Sequence, residues 1–301
     1  MSSFDKRATG FDRIVPSDAR IEHIACGFTF TEGPLWDGDS LLFSDIPNSR
    51  IARWRRRPEG PELTTFRSPS QLANGLTFDR QGRLLACEGN ARRLTRTEAD
   101  GTIVTIAETY QGKRINSPND VVAAPDGSIY FTDPFWAQSF KNPFGLTVQN
   151  EDRELSFDGV YRVGLDGNVK LLIDDFARPN GLAFSPDGQT LYVADTRKFH
   201  MRAFDVGADG GLSNGRIFAE IRSEDEGVPD GMKVDIEGNV YCTGPGGVWV
   251  VAPSGEILGR IQPPEIPANV CWGDADMSTL YITARTGVYR VKLTIPGMPV
   301  W

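Results

Sequence analysis

The chain has 301 residues, 40% hydrophobic and 24% charged, with a net charge of −8. This is a globular composition, and its acidity lacks the basic footprint of phosphate-backbone binding, so no nucleic-acid partner is expected. No apolar run reaches the roughly 18 residues of a membrane span. The opening MSSFDKRATG has no apolar signal core, and four cysteines lie outside CxxC spacing, so a cytoplasmic protein is expected.

In chain order, an arm (1–19) leads to a first strand-like stretch, 20–25 (RIEHIA). Glu32-Gly33-Pro34 then opens a hairpin that returns at Ser44-Asp45, with a third strand at 51–54 (IARW). Asn74-Gly75-Leu76 opens the next, which turns at 79–84 (DRQGRL), returns at Glu88 and continues at 92–96 (RRLTR). The third runs from Asn119-Asp120-Val121 through 125–131 (PDGSIYF) to Asp133. A polar, irregular insertion at about 137–155 separates it from strands at 159–163 and 169–175. The fourth runs from Asn180-Gly181-Leu182 through 185–193 (SPDGQTLYV) to Asp195, then 201–206. The fifth opens at Asp230-Gly231-Met232, turns in DIEGNVY (235–241), reaches Thr243 and continues at 247–251. The sixth opens at Asn269-Val270, returns at Arg285 and ends in GVYRVKL (287–293).

Strand-like runs joined by Asp-Gly or Asn-Gly turns read as hairpins. Anchors that recur at steps of 42, 45, 61, 50 and 39 residues read as a repeat architecture. The sequence therefore predicts an all-β, six-bladed β-propeller with four-stranded blades, a single domain over 1–301. The last unit has only three strands, and the stretch 20–25 is predicted to supply its outer strand and close the ring.

In a propeller the innermost strands run in one direction, so the six anchors form a ring at one channel mouth. That ring is Glu32, Asn74, Asn119, Asn180, Asp230 and Asn269, with Asp45, Glu88, Asp133 and Asp195 returning beside it. Asn and Asp also open turns through their own side-chain hydrogen bonds, and Asn74 or Asn269 taken singly fits that role. The whole ring offers only oxygen ligands, the set that hard cations such as Ca²⁺ take. Two histidines, His23 and His200, exclude three-histidine zinc sites and leave little room for a Ser-His-Asp triad. The four cysteines are expected to be small buried hydrophobes. Trp36, Phe135 and Trp136 lie just beyond anchor motifs, where they could wall a pocket or fill the core.

EGPLWDGDSLLFSDI (32–46), NGLTFDRQGRLLACE (74–88), GKRINSPNDVVAAPDGSIYFTDP (112–134), RPNGLAFSPDGQTLYVADT (178–196) and VPDGMKVDIEGNVYCTGPGGVWVVAPSGE (228–256) resemble the regucalcin/gluconolactonase (senescence marker protein) family, most closely its bacterial sugar lactonases. The resemblance implies a six-bladed propeller holding one divalent ion, Ca²⁺ first, with Zn²⁺, Mn²⁺, Mg²⁺ or Fe²⁺ as alternatives. It places the metal ligands on Glu32, Asn180 and Asp230, and the ND asparagine on Asn119. The implied activity is hydrolysis of a small sugar lactone, by a monomer or homodimer. Asp230 is then the expected base, Asn119, Glu88 and Asn269 the substrate contacts, and Asp133 and Asp195 supports behind them. Two departures bear on substrate. Ser117 stands where the regucalcin branch has a sugar-binding Arg, and Gly89 stands where bacterial lactonases commonly have His. A Ca²⁺-dependent phosphotriesterase or fluorophosphatase and a non-catalytic binding propeller are the alternative readings.

Overall fold

The computed structural model describes residues 3–136 and 153–299. Local turn chemistry shapes its hairpins. Asp79 accepts the amides of Gln81 and Arg83, each at 2.9 Å, and Asp235 accepts those of Glu237 and Asn239 at 3.0 and 2.9 Å. Such Asx turns reverse the chain while satisfying backbone donors. The accompanying Gly82 and Gly238 sit at φ +72° and +85°, where a Cβ is disfavoured.

The strands assemble into six antiparallel blades, each ordered from the channel outward. Blade one comprises Thr31–Trp36, Leu41–Asp45, Arg50–Arg57 and Gly60–Arg67. Blade two comprises Ala73–Phe78, Leu84–Glu88, Arg93–Thr97 and Ile103–Ala107. Blade three has Val121–Ala123, Ile129–Asp133, Asp158–Val163 and Val169–Phe176; blade four has Pro179–Phe184, Thr190–Asp195, His200–Val206 and Leu212–Glu220. Blade five contains Met232–Val234, Val240–Gly244, Gly247–Val251 and Ile257–Ile261; blade six contains Pro267–Gly273, Thr279–Ala284 and Gly287–Lys292. The predicted all-β propeller is the observed fold. Among the described residues the one α-helix is Phe11–Ile14. The predicted insertion lies outside the described residues except for its end at 153–155.

The closure is also as predicted. Glu22–Cys26 joins blade six with Glu22 opposite Arg290 and Cys26 opposite Gly287, so the two ends of the ring share one sheet. The arm before it differs from the expected plain arm. Phe4–Lys6 adds a fifth strand to blade five, with Phe4 opposite Ile261. Phe11 and Ile14 are buried behind it. The outer strand of blade five has free edge groups to pair. Gly259 leaves room, since a Cβ there would lie 2.6 Å from the Phe11 ring. Arg260 fastens the added strand by an ion pair to Asp5 at 2.9 Å.

The core lies between blades, where apolar residues of neighbouring sheets interlock. Between blades two and three, Leu85, Leu94, Phe131 and Tyr161 are fully buried, and the last two stack at 5.2 Å. Each such side chain contributes about 1.5–3 kcal/mol by leaving water. Three of the four cysteines are buried as expected, while Cys26, at the edge of the closing strand, is exposed.

Candidate active site at the upper channel mouth

A register irregularity opens the innermost strand of blades one, two, four and six, between Glu32 and Leu35, Ala73 and Leu76, Pro179 and Leu182, and Pro267 and Asn269. Such bulges re-aim side chains; they fall at or beside Glu32, Asn74 and Asn180, while blades three and five, which carry Asn119 and Asp230, have unbroken registers. Backbone bonds stitch the anchors into a ring. Gly75 N donates to Asn119 O at 2.8 Å, Gly181 N to Asp230 O at 3.1 Å and Gly231 N to Ala268 O at 2.8 Å. The glycines are required by closeness: a Cβ on Gly75 would lie 2.7 Å from Asn119 O, and one on Gly231 would collide with the Asn269 side chain.

These bonds correct the alignment of blade six. Ala268, not Asn269, occupies the position of Asn119 and Asp230. Asn269 therefore stands where other blades have glycine, as does Asp120 in blade three. Both are buried one layer below the ring. Asn269 Nδ2 donates to Glu32 Oε2 at 2.9 Å and reaches Asp120 Oδ2 at 3.5 Å. Lys233 of blade five lends its positive charge to Glu32 and Asp120. Sequence reasoning missed Asp120 and Lys233 as site residues. The signals were an Asp at a glycine position of the repeat and a Lys inside an otherwise apolar inner strand.

Glu32, Asn180 and Asp230 come together. The Asp230 carboxylate lies within hydrogen-bonding reach of the Asn180 side chain and of Glu32. Glu32 and Asn180 are buried, while Asp230 keeps exposure to an adjoining cavity of about 460 Å³ that Phe30, Val228 and Arg285 also line. Burial, reinforced by the charge of Asp120, pushes the Glu32 carboxyl up to about 7. Burial, then the charges of Glu32 and Asp120, raise Asp230 well above the usual carboxylate range. Asn180 Nδ2 donates to Thr196 Oγ1 at 3.0 Å, and its Oδ1 is buried with no hydrogen-bond partner among the described residues. The Asn74 Oδ1 in the same ring is likewise orphaned.

Orphaned amide oxygens beside two mutually repelling carboxylates fit a hard divalent cation, which would accept the lone pairs and relieve the repulsion. Among the described residues no three His, Cys, Asp or Glu side chains are grouped as a metal site by themselves. The fit depends on the asparagine oxygens.

The remaining candidates divide. Asn119 is buried in the ring, its amide donating to Thr132 O at 2.9 Å. Asp133 and Asp195 turn away from the channel and hold the segments that lead into the anchors. Asp133 Oδ2 accepts Asn116 N at 2.7 Å; Asp195 accepts Ala177 N at 2.9 Å and Arg178 N at 3.2 Å. Glu88 is committed to Arg93 at 2.7 Å and Thr95 at 3.1 Å of its own blade and to Arg67 of blade one at 3.3 Å. Trp36 lies at the opposite end of its strand from Glu32 and stacks on Tyr281, away from this mouth. Phe135 and Trp136 stay on the mouth side, following Asp133.

A propeller with a buried oxygen-donor ring at one mouth defines the class, and comparison defines the family. The SMP-30/Gluconolactonase/LRE-like region matches residues 30–286, and the chain belongs to that family. It is 32% identical to a gluconolactonase of Zymomonas mobilis, over 93% of this chain and 83% of that protein. It is 27% identical to regucalcin of Oryctolagus cuniculus, over 89% of this chain and 86% of that one. Among solved structures, a gluconolactonase of Xanthomonas campestris superposes with a TM-score of 0.85 at 34% identity, covering 96% of this chain and 94% of that one.

Proposed function

We propose that the protein hydrolyses a sugar lactone to the open aldonic acid, using one divalent cation held by Glu32, Asn180 and Asp230. The observation that carries the reading is the orphaned Oδ1 of Asn180, whose side chain lies beside the Asp230–Glu32 pair, joined to 32% identity with a gluconolactonase along nearly the whole chain. Ca²⁺ suits an all-oxygen donor set first. When bound, the cation supplies Lewis-acid polarisation of a carbonyl.

The chain's own residues supply the rest. Asp230, open to the adjoining cavity, takes the proton of the attacking water, a role typically worth a factor of about 10²–10⁴. Asn119 presents its side chain at the ring to orient the lactone. As the ring C–O bond breaks, the leaving oxygen takes a proton and becomes a hydroxyl. Asp120, Asn269 and Lys233 fix Glu32 from below, and Asp133 and Asp195 fix the loops.

The test follows acid release from D-glucono-, D-xylono- and L-arabinono-lactones, beside a fluorophosphate, before and after chelation. Turnover of a lactone, abolished by chelation and restored by a divalent ion, is the expected result. Turnover of the fluorophosphate alone would move the assignment to phosphotriester chemistry, and no turnover of either would leave a binding propeller.

A further inference from the structure

On the same mouth, between blades three and four, three guanidinium groups gather around one carboxylate. Asp158 Oδ1 accepts Arg153 Nη2 at 2.6 Å and Phe135 N at 3.3 Å. Arg178 Nε lies 3.3 Å from Asp158 Oδ2, an ion-pair distance without hydrogen-bond geometry. Arg197 adds its charge to both Asp158 and Arg178. Behind it, burial, with the charge of Asp158 added, holds the Asp133 carboxyl toward its neutral form. Among the described residues, three guanidinium groups thus stand beside two carboxylates, Asp158 and Asp195, the latter accepting the backbone amides of Arg178 and Arg197.

One donor in this cluster is held by charge alone, and one is unused. Arg178 Nε and Trp136 Nε1 are buried without a hydrogen-bond partner among the described residues. Arg178 is only 9% exposed, and its guanidinium stacks over Trp136 at 4.3 Å, which fixes its plane. Buried donors left unsatisfied are costly, and a preorganised guanidinium is suited to carboxylate or phosphate. Arg178 stands two residues before Asn180 in the chain, so the cluster borders the ring.

We propose that this rim is an anion subsite and that Arg178 is its specificity-determining residue. It selects lactones that carry a second negative group, a terminal carboxylate or a phosphate, over neutral ones. The proposal rests on the lactonase reading above and names its substrate class.

The experiment compares kcat and KM for neutral D-glucono-1,5-lactone, for D-glucaro-1,4-lactone and for 6-phospho-D-glucono-1,5-lactone. The two acidic lactones distinguish carboxylate from phosphate. The wild-type protein should prefer one of them. Arg178→Gln and Arg197→Gln should each raise KM for it, the former by roughly 10- to 100-fold, with kcat and neutral-lactone kinetics little changed. Arg178→Lys should recover part of the loss. Calorimetric titration with inorganic phosphate and D-glucarate reads the subsite without turnover, and Arg197→Gln, on an exposed side chain, keeps the test open if Arg178 variants fail to fold. A neutral-lactone preference unaffected by both substitutions, or no anion binding, would overturn the proposal. Anion binding lost in Arg178→Gln without turnover of any lactone would retain the subsite and overturn the lactonase reading instead.

Discussion

The two ends of the channel are built by the same six inner strands and hold cavities of nearly equal size, about 460 Å³ at the upper mouth and 470 Å³ at the lower. Volume does not distinguish them; chemistry does. The upper end gathers Glu32, Asn74, Asn119, Asn180 and Asp230 where the inner strands open. The lower end is lined largely by Leu35, Trp36, Phe78, Trp272, Met277 and Met298, with Lys233, Arg80, Asp37 and Asp79 among its charged groups. The C-terminal segment crosses this lower end: Gly297 N donates to Met277 O at 2.8 Å and Met298 N to Val234 O at 3.0 Å. A propeller need seal only one mouth by packing. The other can accept repelling carboxylates and orphaned oxygens because a ligand, not the core, completes it.

Substitutions at the upper ring should produce the largest functional effects. Asp230→Asn should keep appreciable metal yet lose turnover at least ~10²-fold at every metal concentration. Glu32→Gln should mainly lose metal and recover in part with excess ion. Metal content measured alongside kcat separates the two. If excess metal restores Asp230→Asn to near wild-type turnover, Asp230 is a ligand only.

Paired glycine substitutions sharpen the contrast between the ends. A Cβ on Gly231 meets Asn269, and one on Gly297 meets the Trp272 ring. Both variants should lose about 1–3 kcal/mol of stability to overpacking. Only Gly231→Ala should also disturb catalysis, because Asn269 holds Glu32. Equal kinetic damage from both, measured on the folded fraction, would argue that the lower end takes part in turnover.

A pH effect of intermediate size belongs to the supports behind the ring. Burial raises the Asp133 carboxyl to about 8. Its native form therefore holds a proton more tightly than the unfolded chain does. Its contribution to stability is full below pH ~4 and is lost as pH rises through about 8. Asp133→Asn keeps an oxygen to accept Asn116 N and removes this dependence. Urea midpoints at pH 5 and pH 8.5 should differ less in the variant than in the wild type; an unchanged difference would place the titration elsewhere. The smallest effect is expected from Met298→Ala, a half-buried side chain at the lower cavity. It should cost about 1 kcal/mol and leave kcat/KM within about twofold.

Much of this architecture was legible in the sequence. The Asx turns, the anchors and the orphan strand at 20–25 act locally or by count, so they announced a ring of six blades closed at blade six. The trio Glu32, Asn180 and Asp230 followed from strand direction and family motifs. Other features depended on contacts between distant segments. Phe4–Lys6 found blade five because that edge was unpaired and Gly259 left room for Phe11. Glu88 and Asp195 look alike at the ends of second strands, yet one meets an arginine of its own blade and one of the neighbouring blade, and the other the amides of adjoining loops.

Sequence alone determined the repeat, because turn residues and alternating apolar strands set the blade before any blade meets another. Tertiary structure decided which side chains enter the channel. A bulge shifts a strand by one residue, and that shift cannot be read from side-chain alternation. In blade six it put Ala268 in the ring and Asn269 below it; Asp120 holds the matching place in blade three without a bulge, and both sit where the neighbouring blades' Gly231 and Gly75 leave space.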